Sequence, residues 1–160
     1  MIRLTNLADY AVILMCEMSH ADHRLSAQDL AASTGVPVTT VSKILNLLSR
    51  ASLLQSHRGI KGGFALKLEP EDVSVAEIIE AIDGPIALTS CVDSGKDCEC
   101  GFDDICVLRP RWQLISNAVR GALANVSLKE LAEPAMSGGV MPALEKRILG
   151  QQTAETKQNG

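Results

Sequence analysis

The sequence predicts a mainly α-helical chain carrying one small β-hairpin. Three observations predict it. Only four of the 160 residues are aromatic, so the core must be built from Leu, Ile, Val, Ala and Met, a composition that favours helices. Apolar residues recur at helical spacing in several separate segments. Between them, one basic, Gly-rich stretch, His57-Arg58-Gly59-Ile60-Lys61-Gly62, divides two short runs suited to strands.

Taken in order, Asn6 to Ser19 places Leu7, Tyr10, Ala11, Leu14, Met15 and Met18 on one helical face. Ser26-Ala27-Gln28-Asp29 has the form of a capping box and opens a short helix ending near Ser33. Thr34-Gly35-Val36-Pro37 interrupts the chain: Gly35 permits a left-handed turn, and Pro37 suits the first position of a new helix. That helix is expected over residues 37–51, burying Val41, Ile44, Leu45 and Leu48. Its other face offers Thr39, Thr40, Ser42, Lys43, Asn46 and Arg50, the short donors and cations that a helix in a major groove needs.

Two short helices about a tight turn form a helix-turn-helix, and a hairpin directly after them makes it winged. The strands are expected at 53–56 and 63–68, with Arg58 and Lys61 at the tip able to reach phosphates or a narrow minor groove. Ser74-Val75-Ala76-Glu77 opens another capped helix, stopped by Gly84 and Pro85. A long helix follows over 108–125, with Leu108, Trp112, Ile115, Val119 and Ala122 at coiled-coil-like spacing. This stripe is suited to dimerisation, as helix-turn-helix proteins that bind paired half-sites require. The expected organisation is therefore a winged-helix DNA-binding domain at 1–84, a cysteine-rich loop at 85–107, a dimerisation helix with a short final helix at 108–133, and a disordered tail at 134–160.

Charge is divided unevenly. Residues 1–69 hold seven Lys/Arg against five Asp/Glu, and residues 70–160 hold eight against fourteen, so a DNA partner must meet the first half. No apolar run approaches the ~20 residues that span a bilayer, and the N-terminus lacks a basic region followed by an apolar stretch, so a cytoplasmic protein is expected. No phosphate-cradling glycine loop and no nucleophile–base arrangement argues for an enzyme.

Cys91, Cys98, Cys100 and Cys106 fall within sixteen residues, and the rest of the chain holds only Cys16. The segment is polar, acidic and rich in turn-formers, so it cannot bury much apolar surface. Soft thiolates suit an iron–sulfur cluster or zinc. Gaps of six, one and five residues differ from the paired spacing usual for zinc. A zinc-stabilised DNA binder and an iron–sulfur carrier or scaffold are the alternatives to a cluster sensor.

These features together resemble the iron–sulfur winged-helix regulators of the IscR, NsrR and RirA type. The opening Met-Ile-Arg-Leu-Thr-Asn-Leu-Ala-Asp-Tyr-Ala-Val is similar to the family's Met-Arg-Leu-Thr start, and Arg58-Gly-Ile-Lys-Gly-Gly63-Phe to its Arg-Gly-x-x-Gly-Gly-Tyr hairpin. The match covers about residues 1–133. Arg109-Pro-Arg-Trp112, Asn117-Ala-Val-Arg120 and Val126-Ser-Leu-Lys-Glu-Leu131 look most like the branch that regulates SUF-type iron–sulfur assembly.

The resemblance implies three cysteine ligands, Cys91, Cys100 and Cys106, for a 2Fe–2S or 4Fe–4S cluster. Arg109 stands where IscR-type chains have a histidine ligand, and Arg is not a metal ligand. The NsrR-type pattern instead implies Asp9, supplied by the partner subunit; Cys98 and an exogenous or absent fourth ligand are the alternatives. The expected function is a dimeric DNA-binding transcriptional regulator that senses cluster status through iron, redox or nitric oxide and controls cluster-assembly genes.

Overall fold

The computed structural model describes residues 3–59, 62–89, 92 and 108–133. Six helices and one antiparallel hairpin are found among them, in the order α1 (Asn6–Ser19), α2 (Ala27–Thr34), α3 (Val38–Arg50), β1 (Leu54–His57), β2 (Gly63–Leu66), α4 (Val75–Asp83), α5 (Arg109–Ala124) and α6 (Leu128–Ala132). The mainly helical fold with a winged hairpin is as expected. Cys91, Cys98, Cys100, Cys106, Lys61 and the tail at 134–160 lie outside the described residues.

Helix starts follow local chemistry. Thr5 caps α1, its Oγ1 accepting from the Ala8 N–H at 3.1 Å. Ser26 and Asp29, Ser74 and Glu77, and Ser127 and Glu130 form reciprocal capping boxes that satisfy otherwise orphaned N–H groups. In two boxes the hydrogen bonds hold the carboxylate below its usual pKa: at Asp29 from the Ser26 hydroxyl and backbone, and at Glu130 from the Ser127 backbone and hydroxyl. Gly35, at φ 74°, ends α2 in the left-handed conformation. Pro37 stands just before α3 rather than as its first residue, because its ψ of 135° is extended.

The core lies where α1, α3 and α4 meet. Leu14 and Met15 of α1, Ile44, Leu45 and Leu48 of α3, and Ile78 of α4 are fully buried in one cluster with Leu30 of α2. Beyond α3 the chain reverses at Ser52, whose φ is 63°, while the Leu53 N–H donates to Leu48 O at 3.0 Å. That bond belongs to the helix end, so the first strand begins one residue later than expected. β1 and β2 pair from Leu54↔Leu66 to His57↔Gly63. Leu25 and Phe64 exchange backbone hydrogen bonds of 3.0 and 2.9 Å, which fastens the hairpin to the entry of α2.

The last helix has a destination that periodicity does not predict. Leu128 is fully buried in the same core as α1 and α3, and its N–H donates to Val73 O at 2.7 Å. A bridge between Ser74 and Ser127 and a Lys129–Glu71 ion pair of 2.7 Å fix α6 beside the start of α4. His20 Nε2, at the end of α1, lies 3.0 Å from Ala132 O. The long helix α5 thus packs on α4, while α6 returns to the core beside α1.

Candidate nucleic-acid interface and the roots of the cysteine loop

Helix α3 turns its apolar residues inward and leaves a narrow polar stripe outside. Thr39, Lys43, Asn46 and Arg50 follow one another at i, i+4, i+7 and i+11, and all four are exposed. Thr40 and Ser42, also expected on this face, are half-buried at its two edges. Val38, which sequence reasoning did not place in the interface, is 41% exposed at the first position of the helix. The stripe carries donors and two cations, Lys43 and Arg50, with no acid on the helix. That chemistry is complementary to base edges and phosphates.

The wing presents exposed Arg58 beside a tip that only glycines can form. Gly59 has φ 112°, and its carbonyl accepts from the Gly62 N–H at 2.8 Å. A Cβ on Gly62 would lie 2.5 Å from His57 O and 2.7 Å from Gly59 O, distances no side chain tolerates. The Gly-rich motif is therefore a steric requirement of the turn that carries Arg58.

The described residues flanking the cysteine segment are tied to two helices. At its approach, the Leu88 N–H donates to Ser116 Oγ at 3.2 Å, and Ser116 is the buried residue of α5. The Val92 side chain is buried, and its N–H donates to Thr89 O at 3.0 Å. At the end of α4, both carboxylate oxygens of Asp83 accept from Thr5 Oγ1, at 2.8 and 2.9 Å. One turn beyond Thr5, Asp9 is exposed, and its carboxylate makes no hydrogen bond or ion pair among the described residues. Cys16 is a different kind of thiol: half-buried on α1, with burial pushing its pKa up. The connections from Leu88 to Ser116 and from Thr5 to Asp83 span 28 and 78 residues, so no local motif announces them.

Helix α5 is clamped to α4 by a two-pronged ion pair, Arg120 Nε to Glu80 Oε1 at 2.8 Å and Nη2 to Oε2 at 2.9 Å. The Glu80 partner raises the Arg120 pKa further. Large apolar side chains elsewhere on α5 are uncovered: Leu108 is 49% exposed, Trp112 37% and Ile115 43%, and Leu114, further round the helix, 71%. No helix among the described residues is long and apolar enough to cross a membrane.

Comparison with known proteins bears on the fold and the family. The chain is 31% identical over 132 residues to the HTH-type transcriptional regulator IscR of Photobacterium profundum, covering 81% of this chain and 74% of that one. It is 28% identical over 131 residues to IscR of Escherichia coli, covering 81% and 79%. Among solved structures it resembles CymR, titled the global cysteine regulator of B. subtilis, with a TM-score of 0.63 and 25% identity over 82% of this chain and 97% of that one. T. potens IscR shares the fold at a TM-score of 0.62 and 23% identity, covering 88% and 96%. The two IscR sequences are named as regulators of transcription, not as enzymes. The Rrf2 family model, described as an iron-dependent transcriptional regulator, matches residues 4–134, and the chain belongs to that family of DNA-binding regulators.

Proposed function

We propose that the chain is a cytoplasmic homodimeric regulator that reads paired half-sites in double-stranded DNA, with an affinity set by an iron–sulfur cluster in the loop at 85–107. We further propose that its targets are SUF-type cluster-assembly genes. One observation carries the coupling: the approach to the cysteine segment is hydrogen-bonded to α5, α5 is clamped to α4 through Arg120 and Glu80, and α4 packs against α1 and α3. A displacement at Leu88 therefore has a packed path to the stripe that would meet DNA. The uncovered apolar side of α5 supports a second copy as its cover, because an exposed patch rich in large side chains marks an interaction surface.

Cys91, Cys100 and Cys106 would hold the cluster, with Asp9 of the opposite subunit as fourth ligand and Cys98 as the alternative. Three or four soft thiolates within sixteen residues fit iron–sulfur chemistry, and the free carboxylate of Asp9 is available for ligation. A bound cluster would supply a ligation state that responds to iron, oxygen or nitric oxide. Asp9, a harder and weaker donor to iron than thiolate, would be the site's most labile bond.

Anaerobic purification with absorption spectra and iron and sulfide analysis tests the ligand set. Ala at Cys91, Cys100 or Cys106 should abolish the visible chromophore, whereas Cys98→Ala should keep most of it. Asp9→Ala should shift the spectrum and hasten its decay in air while the dimer persists. A colourless, zinc-containing wild-type protein would overturn the cluster reading.

A further inference from the structure

The first residue of α3 is apolar and points outward, beside a stripe that is otherwise polar. Val38 is 41% exposed, whereas the other aliphatic residues of the helix, Val41, Ile44, Leu45 and Leu48, are fully buried and Leu47 is half-buried. It shares its side of the helix with Ser42, one turn on, and adjoins Thr39. Residues at the N-terminal end of a recognition helix are those that meet base edges. Among the groups a major groove displays, the thymine C5-methyl is the apolar one, and it is bound by apolar side chains.

We propose that Val38 is a specificity-determining residue that selects a thymine in each half-site by packing against its C5-methyl. This rests on the reading of α3 as the helix that enters the major groove. Val38 has a wholly apolar side chain, whereas the neighbouring Thr39 offers a methyl beside a hydroxyl, so a methyl preference that is lost in Val38→Ala belongs to Val38. Excluding one methyl group from water is worth about fourfold in affinity, the equivalent of ~0.8 kcal/mol.

The test begins with selection of bound sequences from a random duplex pool by the full-length chain, with and without reconstituted cluster. Each thymine of the enriched site is then replaced singly by deoxyuridine, which removes the methyl and nothing else. One thymine, or its symmetry-related pair, should lose about fourfold in affinity for the wild-type chain per site replaced. The same replacement should leave binding by Val38→Ala unchanged, while Val38→Ile retains the sensitivity. Val38 lies outside the core, so Val38→Ala should unfold at the wild-type temperature. A wild-type chain indifferent to every uracil, or a sensitivity that persists in Val38→Ala, overturns the role of Val38 and leaves α3 docking intact. Failure to enrich any sequence overturns α3 docking and the inference with it.

Discussion

At the scale of single residues, backbone conformation and exposure make sharper demands than side-chain type. Gly62→Ala should distort the wing turn, since its new Cβ would collide with His57 O and Gly59 O, and backbone oxygens cannot swing away. The expected outcome is weaker DNA binding with little change in the thermal transition, because Arg58 is misplaced while the core is untouched. Ser52 is the non-glycine residue found at positive φ among the described residues. Ser52→Gly should relieve that strain and, after the added freedom of the unfolded chain, raise stability by roughly 0.5–1 kcal/mol in denaturant titrations. Lys43→Ala should weaken binding to all sequences and lower the salt slope by about one unit, if Lys43 meets phosphate. The sequence shows which residue types line α3, because polarity recurs at helical spacing. It does not show that Val38 protrudes while Thr40 and Ser42 recede, since that depends on how far the helix projects beyond its neighbours.

At the scale of elements, the helix starts were legible and their destinations were not. Capping boxes are complete within four residues, so the starts at Ser26, Ser74 and Ser127 can be read directly. The return of α6 to the core depends on Leu128 meeting Val73 and α1, contacts that no local pattern encodes. Two of these caps also give the fold an acid limit. Asp29 and Glu130 are held below their ordinary pKa, so the unfolded chain binds their protons first. Their stabilisation is fully present above the ordinary carboxylate range and is lost as pH falls through the lowered values. Thermal unfolding followed by circular dichroism should therefore show a decline that begins below about 4.5, and Glu130→Gln should make it shallower. Between α4 and α5, Arg120→Ala should leave the thermal transition nearly unchanged, since partly exposed ion pairs contribute little to stability. It should nonetheless reduce any difference in DNA affinity between cluster-loaded and cluster-free protein, because α5 loses its clamp on the helix that packs against α3.

At the scale of the whole molecule, sequence composition separates two halves, a mildly basic half proposed to meet DNA and an acidic half that carries the thiols. Their union depends on α5, whose uncovered face holds the chain's single tryptophan, Trp112. Dilution should shift Trp112 fluorescence to longer wavelength as a dimer separates, and Ile115→Asp should give the diluted spectrum at all concentrations. The stripe at Leu108, Trp112 and Ile115 was legible as coiled-coil-like spacing, whereas its exposure was not, because any helix of that pattern can pack on its own domain. The most direct test of the central claim is DNA affinity under anaerobic conditions, measured on one selected operator for the wild-type chain with and without its cluster and for Cys106→Ala. The two wild-type states should differ by at least about tenfold, equivalent to ~1.4 kcal/mol of coupling, and Cys106→Ala should match the cluster-free state whatever iron and sulfide are supplied. Equal affinity in the two wild-type states would contradict the account, leaving a DNA-binding protein whose cysteine loop does not govern its grip on DNA.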